Sequence, residues 1–303
     1  MDRDADRTAR GLTYLEHLTA GDLALLARHA GPDVDPAATL TRLRARPELA
    51  EDLLGDPALI EAVFPTDRPV EDPLLRASPF LVFAVAVART WHDLHRLAYV
   101  QEWAGTGQRL PVFVSDELRD LLDEPALRLY LAQLLASYTR VASGAVWVRT
   151  SRGPRRRRFS ELDLGRLASL LEVLPEAAHP GVYRRLGDLA LFLTGVFPDH
   201  TQRRAFGPVE VQRLGRAARP AGGTSHAAQR LLEAVEVRGT IGLLEQLGTR
   251  WYRLALDAAP AAAGTLGVVG AVADRFGDVR RTLNHLTDRY LFPFRTRWFP
   301  SAA

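Results

Sequence analysis

The chain of 303 residues contains no cysteine. That excludes a disulfide framework, a thiol nucleophile, cysteine-ligated zinc, an iron–sulfur cluster and c-type haem attachment. Lysine is absent as well, and all 39 basic residues are arginine. There is therefore no P-loop lysine, no kinase lysine, and no Schiff base to pyridoxal phosphate or a carbonyl substrate. Met1 is the only methionine. With the many Ala, Gly and Pro, this usage matches the codon bias of a GC-rich bacterial genome.

Other absences narrow the function further. No GxSxG or HExxH occurs, and Gly105-Thr-Gly107 lacks the third glycine and the preceding strand of a dinucleotide site. Metal centres of helical bundles use paired Glu-x-x-His motifs. Here the one match, Glu176 to His179, is confined between Pro175 and Pro180. The sequence accordingly predicts no catalytic residue, no cofactor and no metal, and leans away from an enzyme. The longest uncharged apolar stretch, between Asp257 and Asp274, is about 16 residues where a membrane span needs roughly 20. The segment MDRDADRTARG has no apolar run of the signal-peptide kind, so the expected location is the cytoplasm, without a membrane partner. The formal net charge of +3 creates no global field that demands a polyanion.

What is present is mostly helical pattern. From Leu12 to Phe64, short amphipathic segments punctuated by Pro and Gly predict a small amino-terminal helical cap, residues 1–72. PTDRPVEDP, 65–73, reads as a linker, leaving 73–303 as the main helical domain. Ser78 and Pro79 have the signature of an N-cap and first helical position for a long helix running through Trp103. PGVYRRLGDLALFLTGVF, about 180–197, is apolar on nearly every side, bounded by Pro180 and Pro198. A stripe-less helix of this kind needs other helices around it. The fold class is therefore mainly α, a multi-helix bundle around a buried central helix. The last helix is expected from Thr265 to Leu291, with Gly267, Gly270 and Ala271 suited to a close crossing, and the Gly264, Gly267, Gly270 spacing reads as helix packing.

One segment breaks the helical rhythm. AVWVRT, SRGP and RRRRF, about 145–159, predict a short Arg-rich β-hairpin. Arg149, Arg152, Arg155, Arg156, Arg157 and Arg158 would project on it as a finger able to bind phosphates or an acidic surface, because guanidinium forks grip oxyanions bidentately. The partner expected is a protein with an acidic surface or a nucleic-acid backbone. No helix-turn-helix, zinc-finger or RNA-binding signature accompanies the run.

A second candidate is a pocket in the bundle drawing on His92, His95, Asp188 and His200. Asp188 falls on the buried helix, and a buried carboxylate needs a partner; Arg184 and Arg185, four and three residues earlier, are placed to supply one. The aromatic tail, Tyr290 to Phe299, is expected to fill a groove in its own domain, since five aromatics in water would invite aggregation. These residues predict a bacterial interaction or regulatory protein using the arginine hairpin, with nonspecific nucleic-acid binding and a small-ligand or enzyme pocket as alternatives.

Overall fold

In the computed structural model, Ser78 accepts a hydrogen bond from the Leu81 amide at 3.3 Å and Pro79 occupies the first turn, the pairing that starts a helix cleanly. The structure describes residues 2–29, 35–65, 72–103, 108–141, 143–150, 153–203, 206–218, 226–258 and 266–299. Its helices, in chain order, are α1 (Asp2–His17), α2 (Ala20–His29), α3 (Pro36–Ala45), α4 (Leu49–Leu54), α5 (Pro57–Val63), α6 (Pro79–Leu94), α7 (Ser115–Leu122) and α8 (Pro125–Ser137). They continue as α9 (Leu164–Ala168), α10 (His179–Val196), α11 (Pro198–Arg203), α12 (Pro208–Ala217), α13 (His226–Ala258), α14 (Leu266–Asp274), α15 (Phe276–Leu286) and α16 (Arg295–Trp298). Two two-stranded sheets interrupt them, β1 (Val100–Trp103) with β2 (Arg109–Val112) and β3 (Ser143–Thr150) with β4 (Gly153–Ser160). The protein is mainly α, as its sequence pattern requires. Among the described residues no helix is long and apolar enough to cross a membrane.

The elements group into two compact units. The first comprises Met1–Val100, Phe113–Thr139 and Asp288–Phe294. Its core is α6, where every residue from Phe80 to Ala88 is buried. The short amino-terminal helices share that core. Tyr14 packs on Phe80 with ring centroids 6.0 Å apart, and the buried Asp22 carboxylate accepts the Ser78 amide at 2.8 Å. The proline-rich stretch 65–73 thus lies within the span of this unit, and its residues 66–71 are outside those described. Arg128 on α8 donates to Glu51 and to the Leu122 carbonyl, both at 2.6 Å, and sits 4.7 Å from the Trp91 ring centroid. Tyr290 is buried as well, donating to Asp93 and lying beneath Arg89.

The second unit comprises Gln101–Val112, Arg140–Thr287 and Arg295–Ala303. Here α10 is the central helix, surrounded by α9, α11, α13 and α15. From Leu186 to Val196 all of its residues are buried. Close approach is made possible by Gly187, where an added Cβ would stand 2.6 Å from the Tyr252 ring of α13. The carboxyl end of α10 poses a hydrogen-bonding problem, because Pro198 has no N–H to offer the Thr194 carbonyl. Asn284 of α15 supplies the missing donor, bonding the Thr194 and Gly195 carbonyls at 3.0 and 2.6 Å. Arg295 donates to the Val196 carbonyl at 3.1 Å and grips Asp199 through both terminal nitrogens. A cation there also complements the negative end of the helix dipole. Phe299 reaches the same helix, edge-on to Phe192 at 5.0 Å, and Trp298 is buried.

Several boundaries differ from the sequence expectation. Helix α6 stops at Leu94 rather than Trp103: the His95 ring donates back to the Trp91 carbonyl at 2.8 Å, and Val100–Trp103 pairs with β2 instead. The stretch after Pro198 forms α11, and the last expected helix is two, α14 and α15, broken at Arg275, followed by a π-helical turn at Thr287–Leu291. Gly264 lies outside the described residues, Gly267 is exposed with open space around it, and Gly270 makes only an ordinary contact with Leu256. Close crossings occur instead at Gly187, Gly195 and Gly248, where Tyr252, Leu283 and Phe276 stand 2.6, 2.7 and 2.5 Å from an added Cβ.

Helix α13 is broken at Gly239, whose φ of 65° and ψ of −174° fall in a region open to glycine alone. An added Cβ would meet nothing within 4 Å, so a side chain there adds backbone strain without a clash. Gly239→Ala is expected to destabilise the protein by about 1–3 kcal/mol. Urea denaturation reads this directly, and an unchanged midpoint would mean that the break is not held by the surrounding packing.

Candidate functional site

The β3–β4 hairpin lies in a stretch without acidic residues: none occurs between Glu124 and Glu161. Its strands are antiparallel, and the register pairs Ser143 with Ser160 at the base and Thr150 with Gly153 at the far end. Each arginine of the run is matched with an uncharged residue: Arg158 with Ala145, Arg157 with Val146, Arg156 with Trp147, and Arg155 with Val148. Like charges directly opposite one another destabilise a ladder, and this register avoids them across strands. Because successive strand residues alternate between faces, positions 149, 156 and 158 share one face with 147. Positions 155 and 157 share the other with 146 and 148. Arg152 lies outside the described residues.

The histidine and aspartate candidates are divided between the two units. His92 and His95 belong to the first unit, Asp188 and His200 to the second. The exposed His92 ring donates to the Gly55 carbonyl at 3.2 Å, and the exposed His95 to that of Trp91. Asp188 is buried and accepts the Tyr252 hydroxyl at 2.9 Å. Of the two arginines expected to pair with it, Arg184 stands at 4.0 Å, while Arg185 turns to Glu161 at 3.1 Å. A tyrosine 64 residues away therefore makes the shorter contact. His200 is exposed on α11. Among the described residues, no three His, Asp or Glu side chains are gathered closely enough to hold a metal ion.

The second unit also contains a cleft of about 700 Å³ that the sequence reading did not single out. Leu171 and Leu254 supply apolar wall, and Glu172, Glu176, His179, Tyr183, Arg213 and Arg216 bring polar groups to it. That size is within the usual range of small-molecule sites. His179 is held by a hydrogen bond to the Leu174 carbonyl at 3.1 Å and packs edge-on to Tyr183. Burial pushes the Tyr183 phenol above its ordinary pKa, with the charge of Arg250 opposing. The one local signal for this wall is Arg213 and Arg216, three apart on α12 and hence on one helical face.

A buried charge network lies in the same unit. Arg280, only 5% exposed, donates to Glu245 at 2.6 Å, to Glu102, and to the Asn284 side-chain oxygen at 2.9 Å. Arg281 adds a bond to Glu102 at 3.0 Å. Burial alone would raise the Glu102 pKa, but the hydrogen bonds and charges of Arg280 and Arg281 outweigh it and hold the carboxyl below its ordinary range. Every member is engaged with another. The network fixes Asn284 against the end of α10 and is structural in character.

Compared with family models, curated proteins and solved structures, this chain matches none of them.

Proposed function

We propose that this is a cytoplasmic bacterial interaction or regulatory protein without catalytic activity, and that the β3–β4 hairpin is its contact element for an anionic macromolecule. The observation that carries this reading is the register, which matches each of Arg155 to Arg158 with an uncharged partner across the ladder. Cross-strand pairing gives the run no carboxylate, and an external polyanion is the chemistry that would complement it. Elsewhere in the chain arginines such as Arg128, Arg280 and Arg295 are committed to internal carboxylates.

The test is retention of the full chain on immobilised heparin under a salt gradient. Wild-type protein is expected to elute at clearly higher salt than a variant with Arg155 to Arg158 all replaced by serine. Co-elution of the two would place the anion-binding surface elsewhere. A second reading, a small-ligand binder, is favoured by the cleft beside His179 and Tyr183. It calls for a ligand-induced rise in melting temperature that Leu254→Trp, which fills the cleft, abolishes.

A further inference from the structure

The distribution of arginines over the hairpin distinguishes between kinds of anionic partner. We infer that the partner is a B-form nucleic-acid duplex, with the β3–β4 ribbon entering its major groove so that both faces meet phosphates. This rests on the reading of the hairpin as the contact element.

A ribbon docking on an acidic protein surface presents one face, and arginines on the other face then gain nothing. Here neither face is spared: one carries positions 149, 156 and 158, the other 155 and 157. A nucleic-acid groove is bounded by phosphates on both sides, so it is the partner for which a two-faced arrangement is useful. The dimensions agree. Paired strands lie about 4.8 Å apart, and a B-form major groove about 12 Å wide admits a two-stranded ribbon. Eight residues per strand extend over roughly 25 Å. That is longer than the groove's depth of about 8.5 Å, so the ribbon lies along the groove rather than only piercing it. A-form RNA has a major groove too narrow for this entry.

The two strands contain no Asn, Gln, Asp or Glu, so of the side chains that read base edges by paired hydrogen bonds arginine alone is present. Binding through these arginines is expected to depend steeply on salt.

The experiment is fluorescence anisotropy of a labelled mixed-sequence 20-bp DNA duplex, an arbitrary probe length of about two helical turns, titrated with the full chain at several salt concentrations. R149S/R156S/R158S should shallow the slope of log K against log salt by about 2.7, and R155S/R157S by about 1.8, at about 0.9 for each phosphate no longer neutralised. Arginine-to-lysine changes at the same positions should retain the slope, and thermal melts of every variant separate a weakened interface from an unfolded chain. If one face's variant binds as wild type does, the ribbon lies flat and groove entry is overturned, while the hairpin's role as contact element stands. Equal affinity for an RNA duplex likewise overturns the B-form assignment. If heparin is bound through the hairpin but no duplex is, the partner is not nucleic acid. Failure to bind any polyanion through the hairpin removes both this inference and the reading beneath it.

Discussion

Replacing Arg280 by alanine is expected to destabilise the protein by about 3 kcal/mol, the lower end of the range for breaking a buried ion pair, because Glu102 and Glu245 keep some access to water. The loss has two parts. Glu245 and one oxygen of Glu102 lose their guanidinium partner, and Asn284 loses the donor that orients its amide toward the Thr194 and Gly195 carbonyls. Urea denaturation measures the sum. Combining Arg280→Met with Glu102→Gln and Glu245→Gln should recover much of it, since removing a whole buried charge cluster is milder than orphaning one half. A single variant as stable as wild type would show that Arg280 is not holding this region together.

The same cluster predicts a pH dependence. Glu102 has a lowered pKa in the folded protein, so its contribution to stability is present above the ordinary glutamate value of about 4.3. It is lost as pH falls through the lowered folded value. Asp199 behaves alike: burial would raise its pKa, but hydrogen bonding and charge from Arg295 outweigh that. The stability difference between wild type and Glu102→Gln should thus be largest above about pH 4.3 and shrink on acidification. A difference that grows toward low pH would contradict the assignment.

Phe192→Ala should destabilise by about 3–5 kcal/mol, through lost transfer free energy and the cavity left behind. Phe192 is fully buried on α10 and meets Phe197 at 5.8 Å and Phe299 at 5.0 Å, both edge-on. Because Phe299 belongs to the carboxyl-terminal segment, the substitution also loosens that segment's anchor. A double-mutant cycle with Phe299→Ala is expected to give a coupling of about 0.5–1.5 kcal/mol, the size of an aromatic pair beyond area burial. Strictly additive losses would mean that the tail packs on α10 without depending on this ring.

The sequence by itself determined the mainly α class, the burial of α10, the caps at Ser78 and Pro79, and the hairpin between two helical regions. These follow from local properties: apolar residues around a whole helix circumference, a serine before a proline, and a β-branched run closed by a turn. Local pattern could not say where α6 ends, because the residues of β1 tolerate a helix until β2 is beside them. It placed Arg184 beside Asp188, as the 4.0 Å ion pair bears out, but could not find Tyr252. Arg184 is a sequence neighbour and Tyr252 is 64 residues away, yet the tyrosine makes the shorter contact because Gly187 lets α13 approach. The register of β3 against β4, the cleft walls drawn from α10, α12 and α13, and the Glu102–Arg280 contact across 178 residues were likewise decided only in three dimensions. Burial patterns are carried by neighbours along the chain. Specific polar pairings are chosen by which helices pack closely enough to satisfy each other's donors and acceptors.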